Sequence, residues 1–262
     1  MKIDTDRHFI ERMHWGDVER RVKDGAVAIL PIGAAAKQHG FHLPLNTDRV
    51  QAEWLAGRMA EKIDALVWPT LTYGHYPAFV AYAGSASLSI ATFEALVREI
   101  AGQILGGGCR RLFVLNTGMS TLAPVDRALA RLASDRVKHL WIHGGPRYPR
   151  MVKQLSEQSH GSHADEMETS LMLALAPHLV DMMRAEASPV LEQVTPGALT
   201  PTDPNSPNYS RSGSFGDPTR ATAAKGEALL AAMLDDLDEQ AAAFIAEGAE
   251  PQPSVPMESM MR

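Results

Sequence analysis

Residues 30–48 read LPIGAAAKQHGFHLPLNTD, and this stretch decides the fold because an apolar strand, a polar loop and a helix start follow one another in it. The apolar run at 26–32 predicts a buried strand. The loop after it carries four candidate functional residues: Lys37, His39, His42 and Asp48. In α/β proteins, loops at the carboxyl ends of strands hold the functional groups. The stretch therefore predicts an α/β fold and the position of its site.

Strands and helices alternate along the rest of the chain. Short apolar runs at 66–73, 112–116 and 137–143 are typical of further buried strands. Apolar residues recur with helical spacing in four segments: 48–63, 92–105, 122–132 and 221–246. This alternation predicts an α/β fold in which helices cover both faces of a mostly parallel sheet.

The composition predicts a soluble globular protein. The chain has 262 residues and a formal net charge of −6, which argues against nucleic acid or an anionic membrane as a partner. Its one cysteine, Cys109, excludes an internal disulfide and fits a reducing cytoplasm. No segment approaches the roughly 20 apolar residues that span a bilayer. We expect one cytoplasmic domain over 1–250 and a flexible tail, rich in Pro, Met and Ser, over 251–262.

His39 and Asp48 are candidate metal ligands. Gly40, Pro44 and Asn46 lie between them and bend the chain, so both side chains can converge on one point. Imidazole and carboxylate are common ligands of zinc, iron and manganese. The alternative is that both residues order the loop itself, since Asp48 stands where the next helix begins and Asp is common at helix starts.

A second cluster lies at 159–170, which reads SHGSHADEMETS. Its small residues let the backbone approach a ligand, and Glu168 lies in the first turns of a predicted helix, where its carboxylate can point back into a site. The alternative is a solvated acidic helix start that the helix dipole favours. That alternative explains Asp165 and Glu166, but it does not explain His160 and His163.

These stretches together resemble the creatininase family. Residues 30–48 resemble its loop Glu-x-His-Gly-x-His-Leu-Pro-Leu, which runs on to an Asp. Residues 161–170, GSHADEMETS, resemble its His-Ala-Gly…Glu-Thr-Ser motif, and residues 212–226, SGSFGDPTRATAAKG, resemble its Gly-Asp-Pro…Ala-Thr…Gly signature. The irregular segment 73–89 falls where the family has a Gly…Phe-Pro-Gly-Thr substrate loop. The motifs follow in the family's order over most of the chain.

The resemblance implies a two-metal hydrolase with a Rossmann-like, three-layer αβα fold, assembled as a hexamer. Members of the family open cyclic amides such as creatinine, deformylate pyrimidines or cleave cyclic diketones. One metal ion is held by the loop Glu, the Asp and a His from an Asn-Gly-His motif after the third strand. The other is held by the loop His, the shared Asp and a further carboxylate.

Two departures from the family pattern remove ligands of the first metal ion. Lys37 replaces the loop Glu, and Gly118 occupies the His position of the Asn-Gly-His motif. We expect the Lys37 ammonium to sit near Asp48 and to replace the lost cation. A two-metal site is therefore not expected, and one divalent ion (Zn, Fe or Mn) is predicted on His39, Asp48 and Glu168. The opposing interpretation is that Lys37 repels this ion too, since two unit charges at short range interact by about 4 kcal/mol.

The resemblance also implies roles for individual residues. The predicted catalytic residues are Lys37, His163 and Glu168, with His163 carrying a proton to the leaving group. The predicted substrate-binding residues are His42, His75, Tyr76, Asn116 and Ser120. For His42 a loop-ordering role is the alternative, and for His75 and Tyr76 an oligomer contact.

The predicted function is hydrolysis of a small cyclic amide or carbonyl compound, at a C–N or C–C bond, by a creatininase-like enzyme with at most one metal ion. Two alternatives remain open. One is a catalytically silent family member that binds a metabolite or partner. The other is a metal-free enzyme in which Lys37 acts as an electrostatic catalyst or a Schiff-base nucleophile. A small-molecule substrate and a homo-oligomer, hexameric by resemblance, are the expected partners.

Overall fold

The sheet has four parallel strands in the order β2-β1-β3-β4. The computed structural model describes residues 7–188 and 197–247. The strands are β1 (Val27–Ile32), β2 (Leu66–Val67), β3 (Arg111–Asn116) and β4 (Val137–Trp141). Every residue of β1 and β3 is buried, as expected for central strands of a parallel sheet that is covered on both faces. The α/β prediction is therefore confirmed.

Seven α-helices surround this sheet in the described part of the chain: α1 (Trp15–Lys23), α2 (Thr47–Ile63), α3 (Ile90–Gly106), α4 (Leu122–Leu132), α5 (Arg147–Leu155), α6 (Glu166–Leu175) and α7 (Ala223–Glu247). Alternate strand residues point to opposite faces and so build two apolar cores. Ile29 and Phe113 belong to the core that includes residues of α2, α6 and α7. Leu30 and Val114 belong to the core that includes residues of α3 and α4. The result is the three-layer arrangement.

The sheet order places a crevice between the ends of β1 and β3. From β1 the chain passes to β2 on one side, and it later returns to form β3 on the other side. Ile32 pairs with Asn116 at the last register position of these two strands. In open α/β sheets, ligands bind outside the carboxyl ends of the strands at such a point of reversal. Two predicted site segments, the loops after β1 and β3, therefore leave the sheet side by side.

Most predicted elements agree with the structure to within two residues at each end, but β2 is shorter than predicted. The strand predicted at 66–73 is regular only over Leu66–Val67, because Pro69 has no N–H to donate to the ladder. The chain still follows β1, with Leu71 N–H donating to the Pro31 carbonyl at 2.9 Å.

The nine-residue helices α1 and α5 were not predicted, and neither contains a fully buried residue. Within the described residues, no helix is long and apolar enough to cross a membrane. The predicted tail at 251–262 lies outside the described residues.

Candidate active site

The loop between β1 and α2 brings Lys37, His39 and Asp48 together above the sheet. Gly33 allows this, because a Cβ at that position would lie 2.5 Å from the Asp48 carbonyl oxygen. Gly40 turns the chain with φ of +73°, and a Cβ there would lie 2.6 Å from Ser214 Oγ. Only glycine fits both the space and the left-handed backbone at position 40. The glycines of the motif therefore set where the polar side chains lie.

The Asp48 carboxylate is the centre of the site, and each of its oxygens has a different partner. Lys37 Nζ donates to Oδ2 at 2.7 Å, and His39 Nε2 lies 3.1 Å from Oδ1. Burial acts to raise the pKa of Asp48, but the charges and hydrogen bonds of Lys37 and His39 hold this pKa well below its usual value. Asp48 is therefore a charged, buried carboxylate. The Lys37 ammonium lies next to Asp48, where the sequence predicted it.

Two imidazole rings, His39 and His163, face the Glu168 carboxylate. His39 Nδ1 donates to the Lys37 carbonyl at 2.9 Å, which directs Nε2 towards Asp48 and, at 3.6 Å, towards Glu168 Oε1. His163 Nε2 donates to the Gln38 carbonyl at 2.8 Å, which leaves Nδ1 3.6 Å from Glu168 Oε2. Because a carbonyl oxygen only accepts hydrogen bonds, these contacts fix which ring nitrogen carries a proton.

Backbone contacts and nearby charges hold His163 and Glu168 in this arrangement. Burial, and then the charges of His39 and Lys37, lower the pKa of His163 well below its ordinary value, so this imidazole is neutral at about pH 7. Glu168 lies in the first turn of α6, and its Oε2 accepts the Ala164 N–H at 2.7 Å. The site thus presents a neutral imidazole beside a positioned carboxylate.

His39, His163 and Glu168 form a ligand trio whose donor atoms lie within 4.8 Å of one another. His163 Nδ1 offers a lone pair, as does His39 Nε2 when His39 is neutral, and Glu168 offers an oxygen, a donor set that suits a divalent transition metal. The residues present therefore fit one metal ion. Asp48, which was predicted as a ligand, does not belong to this trio: its Oδ2 accepts from Lys37 Nζ, and its Oδ1 lies 3.1 Å from His39 Nε2. Its role as a ligand stays a prediction.

The residues do not fit a second ion on the other side of Asp48. The Lys37 ammonium occupies the contact with Asp48 Oδ2, and Gly118 has no side chain to offer a ligand atom. A cation there would have to displace a charge of its own sign, which is costly at such short range.

Lys37, Asp48, Tyr76, Gly118 and Ser120 line a small cleft at the crevice between β1 and β3. The Tyr76 side chain is buried, and its hydroxyl forms no hydrogen bond of regular geometry in the described part of the chain. Burial raises the pKa of Tyr76 to about 12. Ser120 is exposed at the cleft. Three of the predicted substrate-binding residues, Tyr76, Asn116 and Ser120, thus line this cleft together with Lys37.

Asn116 of this cleft, and the two remaining predicted substrate-binding residues, His42 and His75, have hydrogen-bond partners within the protein. Asn116 Oδ1 accepts from Gly118 N–H at 3.1 Å and from Thr121 Oγ1 at 2.8 Å. His42 Nε2 lies 2.7 Å from Thr169 Oγ1, and burial, followed by the charge of His39, lowers the pKa of His42 to about 4. His75 Nδ1 donates to the Leu88 carbonyl at 3.0 Å. Their contact with a substrate stays a prediction.

Phe79 is a site residue that the sequence analysis did not identify. Its ring centroid lies 4.5 Å from that of His163 and 5.0 Å from Lys37 Nζ. The irregular segment 73–89 carries Phe79 over the site and is attached to the first loop by the Ala86 N–H, which donates to the Ala36 carbonyl at 2.9 Å. Two sequence signals pointed to this segment, though not to Phe79 itself: its unusual length without regular structure, and its position where the resembled family has a substrate loop.

Comparisons with known proteins identify the family of this chain. The sequence model of the creatininase family, described as creatinine amidohydrolase, matches residues 11–240. The creatinine amidohydrolase of Pseudomonas putida is 31% identical in an alignment of 247 positions that covers 85% of this chain and 91% of that protein. The mycofactocin precursor peptide peptidase of Mycolicibacterium smegmatis is 27% identical over 80% of this chain and 81% of its own length.

Solved structures show the same likeness. A structure named "Creatininase Mn" superposes with a TM-score of 0.78 at 27% identity, over 92% of this chain and 99% of that chain. A mutant creatininase described as "Zn-Zn type" gives a TM-score of 0.77 at 29% identity, over 92% of this chain and 98% of that chain. These two similar structures are thus named for manganese and zinc.

Proposed function

Because this chain belongs to the creatininase family and is a hydrolase of that family, we propose that it hydrolyses a small cyclic amide or related carbonyl compound with at most one divalent metal ion. The observation that supports this most directly is the convergence of His39, His163 and Glu168 beside an Asp48 that is already paired with Lys37. Donor atoms for one ion are present, and an ammonium replaces the other ion.

The charges around the trio favour one ion over two. A histidine that binds a metal ion through a ring nitrogen is neutral, so in the metal-bound site Lys37 contributes +1 and Asp48 and Glu168 contribute −1 each, and the protein groups carry a charge of −1. One divalent ion changes this to +1, whereas two would change it to +3 in a buried site, where like charges repel strongly. A single zinc, iron or manganese ion, when bound, supplies a water of lowered pKa and polarises a carbonyl group.

The protein groups have separable roles in this proposal. His39 and Glu168 hold the ion, and the Lys37 carbonyl orients His39 by accepting from its Nδ1 at 2.9 Å. His163 has one nitrogen without a proton, which serves either as the third ligand or as the acceptor of a proton, since it cannot do both at once. Phe79 covers the His163 ring and keeps water from that side.

The Lys37–Asp48 ion pair also bears on the metal-free alternative. A Schiff-base lysine attacks a carbonyl through its side-chain nitrogen, but Lys37 Nζ is held by the Asp48 carboxylate at 2.7 Å. We therefore assign Lys37 an electrostatic role. Assembly into a homo-oligomer and a cytoplasmic location stay predictions, and the first is checked by the molar mass in solution.

The proposed function is tested by hydrolysis of a panel that contains creatinine, other five- and six-membered cyclic amides and short peptides. We expect the wild-type protein to open at least one cyclic amide, and His39→Ala to lose that activity. His178→Ala is the matched control, because His178 is exposed and lies outside the site. Turnover that survives in His39→Ala would refute the assignment of the site. A wild-type protein inactive on the whole panel would favour the silent alternative.

A further inference from the structure

Tyr76 presents a buried polar group whose hydrogen-bonding capacity is not used. The residue is 2% exposed, and its hydroxyl forms no hydrogen bond of regular geometry with any described residue, although the nearby Gly74 backbone acts to lower the pKa of this hydroxyl. Burying a hydroxyl group without a hydrogen-bond partner reduces the stability of the folded protein. Such a group occurs in proteins where a ligand or an ordered water forms the missing hydrogen bond. Tyr76 lines the same cleft as Asp48, the carboxylate at the centre of the site.

Lys37 presents the second unused donor in the same cleft. Its ammonium has three N–H groups, and one of them donates to Asp48 Oδ2. The other contact of the ammonium within the described residues is the face of the Phe79 ring, at 5.0 Å from the centroid. Lys37 and Tyr76 both line the cleft between the loops after β1 and β3. Two hydrogen-bond donors therefore share a small space that contains one already paired carboxylate.

Donors of this kind recognise an oxygen that accepts hydrogen bonds and carries negative charge. We propose that Lys37 and Tyr76 form the site for the carbonyl oxygen of the substrate, and that they stabilise the negative charge which this oxygen acquires during hydrolysis. The inference rests on the proposed function and adds the recognition group of the substrate, a carbonyl or carboxylate. It also gives a role to the cleft next to Asp48 Oδ2, the oxygen that contacts Lys37, whereas Oδ1 contacts His39 of the trio.

The two oxygens of Asp48 face the two places where we expect the reactants, the water and the carbonyl group of the substrate, to lie. Oδ1 faces His39 of the trio, and Oδ2 faces Lys37. Water that attacks from the side of the trio forms the new C–O bond, and the carbonyl electron pair moves to the oxygen held by Lys37 and Tyr76. When that pair returns, the C–N bond breaks, and the proton that the water gave up is transferred to the leaving nitrogen. Burial, which raises the pKa of Tyr76 to about 12, keeps the phenol protonated as a donor.

The test uses formate as a probe, because formate is the smallest carboxylate and offers two planar oxygens. Formate is titrated by calorimetry into the purified wild-type protein and into Tyr76→Phe, and the metal content of both is measured. We expect the wild type to bind formate and Tyr76→Phe to bind it about tenfold more weakly, as for one lost hydrogen bond to a charged group. Tyr73→Phe is the control, since Tyr73 is exposed at the start of the same segment.

The melting temperature separates a ligand-binding hydroxyl from a structural one. We expect Tyr76→Phe to melt at or above the wild-type temperature, because it removes a buried hydroxyl that has no well-placed protein partner. Equal formate affinity in Tyr76→Phe and wild type, no formate binding by the wild type, or a lower melting temperature would overturn the inference. Formate binding that depends on Tyr76, in a protein that hydrolyses no amide, would refute the proposed function and leave the donor pair standing.

Discussion

Replacing Lys37 with methionine tests the ion pair at the centre of the site. The side chains of Lys37 and Asp48 are 9% and 6% exposed, so Lys37→Met leaves a buried carboxylate with His39 as its remaining side-chain partner in the described structure. Removing one partner of a buried ion pair costs about 3–5 kcal/mol, because the other charge stays desolvated. We expect the free energy of unfolding to fall by about this amount at about pH 7, measured by urea denaturation.

The loss of stability in Lys37→Met should also depend on pH. The folded-state pKa of Asp48 lies well below its usual value because the effects of Lys37 and His39 outweigh that of burial. The stability that the pair contributes is therefore present above the unfolded pKa of about 3.9 and is lost as the pH falls below it. The deficit of Lys37→Met should be largest near neutral pH and smaller in acid, where the carboxyl group of Asp48 in the variant becomes protonated.

A double variant supplies the control for Lys37→Met. Lys37→Met/Asp48→Asn removes both charges of the buried pair. Its loss of stability should therefore be smaller than the sum of the losses in Lys37→Met and Asp48→Asn, with a coupling energy of at least about 1 kcal/mol. A deficit below about 1 kcal/mol at neutral pH, or one that does not change with pH, would refute the conclusion that Lys37 compensates the charge of a buried Asp48.

Three more substitutions probe the geometry of the site. His163→Gln should weaken zinc binding by at least about 100-fold, measured by competition with a chelating dye, if His163 Nδ1 is a ligand; unchanged affinity would assign His163 to proton transfer. Gly40→Ala should lose about 1–3 kcal/mol in chemical denaturation, because φ is +73° and the new Cβ would meet Ser214 Oγ. Tyr82→Phe should lose about 1 kcal/mol, because the Tyr82 hydroxyl donates to the Ser210 carbonyl at 2.7 Å, in contrast to the expectation for Tyr76→Phe.

The fold was predictable from the sequence because the strands and helices that local patterns indicate are the ones that form the sheet and its covering layers. The apolar run before residue 33, the helical spacing after Asp48 and the regular alternation of the two patterns are each local signals. The length of β2 was mispredicted, since the apolar pattern continues past the residue where Pro69 ends regular pairing. Helices α1 and α5 lack fully buried residues, so their apolar patterns were too short to predict.

The site was predictable only in part, because its geometry depends on contacts between distant segments. The motif placed His39 and Asp48 together, and the departures from it marked Lys37 and Gly118. That His163 turns its Nδ1 towards Glu168 depends on a hydrogen bond to the Gln38 carbonyl, 125 residues away in sequence. The position of Phe79 over Lys37 and His163 likewise depends on how segment 73–89 attaches to the first loop.

The central claim is that Lys37 has replaced one metal ion of a creatininase-family site. The most direct test is the number of divalent ions per chain, by elemental mass spectrometry after incubation with excess zinc and manganese and removal of unbound metal. We predict about one ion per chain in the wild type and none in His39→Ala. Two ions per chain in the wild type would contradict the claim, because the ammonium and the second ion cannot share the contact with Asp48 Oδ2.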